Sequence, residues 1–113
     1  MPYSLSEWIY LSTKNIDENV TQTKPGAYVL DKMGGRYKIL YVGRADKDLN
    51  DRLKKYVGSD YAFFAYDYAT SPKNAFEKEC EIYHDHNPPD NKIHPDRPDG
   101  ADWQCPRCDV FKE

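Results

Sequence analysis

Long apolar runs are missing from this sequence. No stretch approaches the roughly 20 consecutive apolar residues of a membrane-crossing helix, so no membrane association is expected. The first residues also lack the basic-then-apolar pattern of a secretion signal. Cysteine is sparse, and three is an odd number, so a disulfide scaffold would leave one thiol unpaired. A reducing cytoplasm is the expected compartment. Basic charge is not in excess: 16 Lys and Arg face 19 Asp and Glu, a net charge of −3. That balance denies the chain an all-round phosphate-binding surface. There is no internal repeat, no low-complexity tract and no helix-turn-helix pattern. Neither a stacked-repeat architecture nor built-in base reading is therefore expected.

What the chain does have is tyrosine. Ten of them dominate a 14% aromatic content, beside an apolar fraction of 39% that is near the low end for globular proteins. The phenol ring fills a core while its hydroxyl serves a wet cleft. At 113 residues the chain fits a single domain, 1–113, able to fold alone. Its charges are unevenly spread. Between residues 36 and 57 stand Arg36, Lys38, Arg44, Lys47, Arg52, Lys54 and Lys55 against Asp46, Asp48 and Asp51, a balance of +4. Residues 77 to 102 hold eight acids against Lys78, Lys92 and Arg97, a balance of −5. A basic segment beside an acidic one suits a phosphate-facing surface next to a cation site, or simply two solvated faces.

Ser4 and Glu7 have capping-box spacing ahead of Trp8, Ile9 and Leu11, which predicts a short helix over 4–12. The polar residues 12–24 read as loop. Pro25-Gly26 opens the apolar run Ala27 to Leu30, and Tyr37 to Val42 follows the pair Gly34-Gly35. Two such runs around paired glycines predict a β-hairpin, its second strand ending at Gly43. Residues 47–57 predict a helix closed by Gly58, with Leu49, Arg52, Leu53 and Tyr56 on one face. Tyr61 to Ala69 suits a third strand. Ser71-Pro72 predicts the start of another helix, running to about His86, where Asn87-Pro88-Pro89 stops it. Ala75, Phe76, Cys80, Ile82 and Tyr83 make its apolar side, and Glu79 projects from that same side. From residue 87 the chain is rich in Pro and Asp, and 94–113 reads as a tail packed on the domain. The sum is an α/β (α+β) fold: a small, mainly antiparallel three-stranded sheet flanked by helices.

Arg52 and Glu79 break the pattern alike, each standing where an apolar residue is expected. A carboxylate withdrawn from water must be paired, metal-bound or lining a cleft. An Arg52–Glu79 ion pair is one solution, and the surrounding residues offer another. Gly26-Ala27-Tyr28 is followed, thirteen residues after Tyr28, by Tyr41-Val42-Gly43 within Leu40 to Asp46, where a basic residue follows the glycine. Asp48 to Tyr56 then sets Arg52 four residues before an aromatic, and Ala75 stands four before Glu79, with Pro88 and Asn91 beyond. In this order and spacing the set resembles the GIY-YIG nuclease family, over residues 25–93. Its last block is most similar to the nuclease domain of the bacterial excision-repair endonuclease. Ala27 stands where that family usually has Ile or Val, and the tail has no counterpart.

The resemblance implies a GIY-YIG endonuclease-like fold, with a cleft on the sheet's exposed face. It implies a metal-dependent endonuclease that hydrolyses one DNA strand per site. Tyr28, Tyr41, Arg52, Tyr56 and Glu79 would be catalytic, with Glu79 holding one Mg²⁺ or Mn²⁺. Arg44, Lys55 and Asn91 would face the substrate backbone. The residue types fit the chemistry. A hard cation on one carboxylate acts as a Lewis acid, and a guanidinium offers a planar fork to phosphate oxygens. Tyr28 and then Tyr41 are the candidates to take a proton from the attacking water, and the sequence does not choose between them. A phenol does so near neutral pH only with a cation or Arg44 beside it. Partners would be DNA, with a homodimer or a targeting partner supplying double-strand cuts or specificity, in repair, restriction, mobile elements or recombination. A different reading, motivated by the acidic net charge, is a nucleic-acid or protein-binding module of the same fold that no longer cuts.

The tail adds Cys105-Pro106-Arg107-Cys108. Two thiolates at that spacing bite one tetrahedral ion, and a closed structural zinc site wants four ligands. His94 is the third candidate, and His86, His84 or Cys80 the fourth, with His86 favoured for its place at the end of the Glu79 helix. Free thiols or a redox pair are the other readings of the same residues.

Overall fold

The computed structural model describes residues 3–34 and 36–111. Seven elements follow in order: β1 (Ile9–Tyr10), α1 (Thr13–Asn19), β2 (Gly26–Lys32), β3 (Tyr41–Ala45), α2 (Leu49–Lys54), β4 (Tyr61–Tyr68) and α3 (Pro72–His86). Every strand pairing is antiparallel, and the sheet order is β1-β4-β2-β3. The fold is thus α+β with four strands, one more than the sequence predicts.

The extra strand replaces the predicted helix over 4–12. Ile9 and Tyr10 pair with Phe64 and Phe63, and the residues before them also bond to β4. Ser6 N–H donates to the Tyr66 carbonyl at 2.9 Å, and Ser6 Oγ accepts from Tyr66 N–H at 3.0 Å. Ser4, the serine of the apparent capping box, instead donates its backbone N–H to Asp67 of β4 at 2.9 Å. The helix begins later, inside the segment read as loop: Ser12 Oγ accepts from Asn15 N–H at 3.1 Å, and the buried Ile16 seats α1.

The hairpin forms in the predicted register region, with Tyr28 opposite Gly43 and Val29 opposite Val42. Its second strand starts at Tyr41 rather than Tyr37. Arg36 and Tyr37 have φ of 61° and 59°, the left-handed region, where an extended strand cannot run. The strand also continues past Gly43 to Ala45. Helix α2 is shorter than 47–57; Leu49 and Leu53 are buried, but Arg52 is exposed, so the expected burial of its guanidinium side is corrected.

Strand β2 is buried from Gly26 to Asp31 because both faces of the sheet are covered. Alternation sends Ala27 and Val29 to one face, where they pack with Val42, Ala65 and Ile82 of α3. Tyr28 and Leu30 go to the other, with Phe64, Ile16 of α1, and Leu49 and Leu53 of α2. A cleft on an exposed sheet face is therefore corrected: functional side chains can gather only at a margin. Helix α3 holds its predicted bounds. Ser71 Oγ accepts from Asn74 N–H at 3.0 Å, Pro72 follows, and Asn87 closes the helix in a left-handed conformation with φ 46°. The tail packs on its far side, joining Trp103, Cys105 and Phe111 to Phe76 and Cys80.

Candidate functional site at the β3 margin

Strand β3 is the outer strand of the sheet, and residues from both faces meet around it. On the α2 face, Tyr28 runs across Gly43. A Cβ at Gly43 would lie 2.4 Å from the Tyr28 hydroxyl oxygen and 2.5 Å from Cζ, so only glycine lets the ring through. The reason is close approach rather than left-handed backbone. Tyr28 can then donate its hydroxyl proton to the Tyr56 oxygen at 2.9 Å. Tyr41 completes a trio, its ring centroid 6.5 Å from Tyr28 and 6.1 Å from Tyr56.

On the α3 face stands Glu79, 7% exposed. Its Oε1 accepts from Arg44 Nη1 at 2.8 Å, and Arg44 Nε donates to Asp46 at 2.8 Å. Arg44 Nη1 also reaches the Asp96 carbonyl, and the guanidinium lies 5.4 Å from the centre of the Phe76 ring. The partner expected for Glu79 if it were simply ion-paired is Arg52; the structure supplies Arg44 instead. Burial pushes the Glu79 carboxyl up to about 7, against the pull of Arg44. Burial opposes the charge on Arg44, but Glu79 and Asp46 outweigh it and its pKa is raised.

The two faces communicate around the margin. Tyr41 and Glu79 line one cleft of about 330 Å³, together with Asn91 and residues 92–96. Arg52 and Lys55 line a neighbouring cleft of about 300 Å³ with Asp46 and Asp51. Burial holds the Tyr28 phenol well above its ordinary value, with Tyr56 adding to the effect and Arg52 opposing it. Burial likewise takes Tyr41 up to about 12, with Tyr56 and Glu79 adding and Arg52 again opposing. Tyr28 and Tyr41 are therefore in their neutral form near pH 7. Asn91 spends its amide on the strand itself: Val42 N–H donates to its Oδ1 at 2.8 Å, and its Nδ2 donates to the Val42 carbonyl at 3.0 Å. It braces β3 rather than facing a substrate.

Tyr28, Tyr41 and Tyr56 are thus brought together, and Tyr41 shares a cleft with Glu79. Arg52 and Lys55 instead line a separate cleft, from which Arg52 acts electrostatically on Tyr28, Tyr41 and Glu79. The tail makes a second assembly. Ligand atoms of His84, His94, Cys105 and Cys108 all lie within 4.8 Å of one another, a group able to hold a metal ion. Three of these four match the predicted set. The fourth is His84, not His86, whose Nε2 lies 3.3 Å from the Tyr3 hydroxyl instead. Two residues along a helix are about 200° apart around its axis, so both histidines cannot face the tail. The signal was present in the sequence: Phe76, Cys80 and His84 stand four apart and share the tail-facing stripe. Asp46, which steadies Arg44, carried no such signal.

Among the described residues no helix is long and apolar enough to cross a membrane. Compared with family models, with curated proteins and with solved structures, the chain matches none.

Proposed function

We propose that the chain is a metal-dependent endonuclease of the GIY-YIG type, hydrolysing DNA phosphodiester bonds at the β3 margin. The observation that carries this reading is the meeting of a buried carboxylate, a tyrosine trio and an exposed guanidinium around one strand. These groups come from β2, β3, α2, α3 and the turn after α2. Glu79 suits one hard, hydrated cation, since it offers a carboxylate at the wall of a cleft that Asp90 and Asp96 also line. Mg²⁺ or Mn²⁺ held there would supply Lewis-acid stabilisation to a phosphate oxygen.

The chain's own residues do the rest in this reading. Arg52 presents its planar donors to the phosphate, and Lys55 adds positive charge along the same wall. Tyr56 accepts the hydrogen bond of the Tyr28 hydroxyl, which leaves its own hydroxyl proton to donate to Tyr41 or to the attacking water. Tyr41, which lines the Glu79 cleft, is better exposed than Tyr28, 1% accessible. It would take a proton from that water only as a phenolate, which a cation held at Glu79 would have to stabilise against the burial that raises its pKa. Arg44 holds Glu79 in position, and a cation bound there would have to share the carboxylate with it.

One observation favours a second reading. Arg44 and the Asp96 carbonyl close over Glu79, as expected of a binding module of this fold that no longer cuts. Nicking of supercoiled plasmid with Mg²⁺ or Mn²⁺ separates the two, scored beside binding to the same DNA. The nuclease reading expects cation-dependent nicking that falls about 100-fold or more in Arg52→Ala and in Glu79→Gln. Nicking that survives both substitutions, or binding without nicking in either metal, refutes it.

A further inference from the structure

The four-residue group in the tail is independent of the proposed reaction and has a geometry of its own. His84 Nε2 lies 3.3 Å from His94 Nε2. Cys105 Sγ lies 3.4 Å from His84 Nε2, and Cys108 Sγ lies 3.4 Å from His94 Nε2. A tetrahedral zinc ion with Zn–N of about 2.0–2.1 Å and Zn–S of about 2.3 Å spaces its ligand atoms by roughly 3.3–3.8 Å. These three separations fall inside that range, and all four ligand atoms lie within 4.8 Å of one another. The tautomer of His94 agrees. Its Nδ1 sits 2.7 Å from the Pro95 carbonyl, which can only accept, so the proton is on Nδ1 and the Nε2 lone pair points into the group. A ring nitrogen so tethered is the usual outer support of a metal-bound histidine.

The charge balance agrees too. Two thiolates neutralise a divalent ion, and a neutral cluster suits a place against Phe76, Cys80 and Phe111. Sulfur and imidazole together at a tetrahedral site select zinc over magnesium or calcium. Four protein ligands leave no open position, so the ion is structural.

We infer that His84, His94, Cys105 and Cys108 form a structural zinc site that clamps the tail onto α3. One ligand comes from the last turn of α3 and three from the tail, so the ion closes a chain segment that has little regular structure of its own. What it fixes includes residues 95 and 96, which form part of the wall of the Glu79 cleft, and the Asp96 carbonyl on Arg44. The zinc would thereby set the shape of the catalytic margin without touching it.

Metal content of the purified full chain, by mass spectrometry, is expected to be one zinc per molecule. Stripping the zinc and titrating with Co²⁺ is expected to give thiolate charge-transfer absorption and the visible bands of a tetrahedral ion. Substituting His84, His94, Cys105 or Cys108 singly by Ala or Ser is expected to weaken zinc binding by more than the roughly 100-fold typical of outer supports. His86→Ala and Cys80→Ser are expected to keep full zinc content. Removing the ion is expected to speed hydrogen exchange over 94–111 while β2 and β4 stay protected. A folded protein with no zinc and freely titrating thiols overturns the proposal. So do iron with labile sulfide, an octahedral cobalt spectrum, or zinc retained by His84→Ala but lost by His86→Ala. None of these readouts depends on nuclease activity, so this proposal and the proposed reaction can fail separately.

Discussion

Glu79 decides most at the scale of single residues. In the fold it keeps its proton up to about pH 7, whereas the ordinary value is 4.5. Between those values the folded chain binds a proton that the unfolded chain has released, so stability falls as pH rises. The contribution is full below about 4.5 and lost as pH passes through about 7. Glu79→Gln removes this slope. Wild type is therefore expected to lose roughly 5 °C or more of melting temperature relative to Glu79→Gln between pH 5 and pH 8, in buffer without magnesium. An unchanged difference would mean that Arg44 keeps the carboxylate ionised throughout. Gly43 is the other deciding residue. With the Tyr28 ring 2.4–2.5 Å from the position of a new Cβ, Gly43→Ala must displace a side chain that is 1% exposed. It is expected to cost about 1–3 kcal/mol in urea unfolding and to abolish nicking. The sequence flagged Glu79 because an acid broke an apolar stripe. It said nothing of Arg44 as its partner, because pairing across 35 residues depends on how strand and helix meet.

Legibility at the scale of elements follows how many apolar contacts each element makes. Strands β2 and β4 and helix α3 carry dense apolar patterns with firm boundaries, and they stand within two residues of their predicted bounds. Helix α1 was invisible because Thr13 to Asn19 buries only Ile16, too little for a helical period. The segment 4–12 misled for the opposite reason. The Ser4–Glu7 spacing alone mimicked a cap, while Ser4 and Ser6 bond to partners about 60 residues away on β4. Helix α3 rests on a true cap, and it carries both Glu79 and His84. Ser71→Ala is expected to lower stability by about 1 kcal/mol while leaving zinc stoichiometry unchanged, checked by thermal melting beside metal analysis. A larger loss would show that the N-terminal turn of α3 also supports the sheet.

For the molecule as a whole, the uneven charge seen along the chain is partly folded away. Arg44 from the basic segment meets Glu79 from the acidic one, and Lys54 meets Asp17 at 2.7 Å. Lys47, Arg52 and Lys55 line one cleft together with Asp46, Asp48 and Asp51, so that cleft is mixed in charge rather than electropositive. The Asn91 amide has a further consequence for how copies of this chain could meet. By occupying both the N–H and the carbonyl of Val42, it acts as a stopper on the outer strand, in the place a foreign backbone would need for ladder pairing. Ladder pairing is thus obstructed at Val42 on the β3 border, while the other border of the sheet is Ile9–Tyr10.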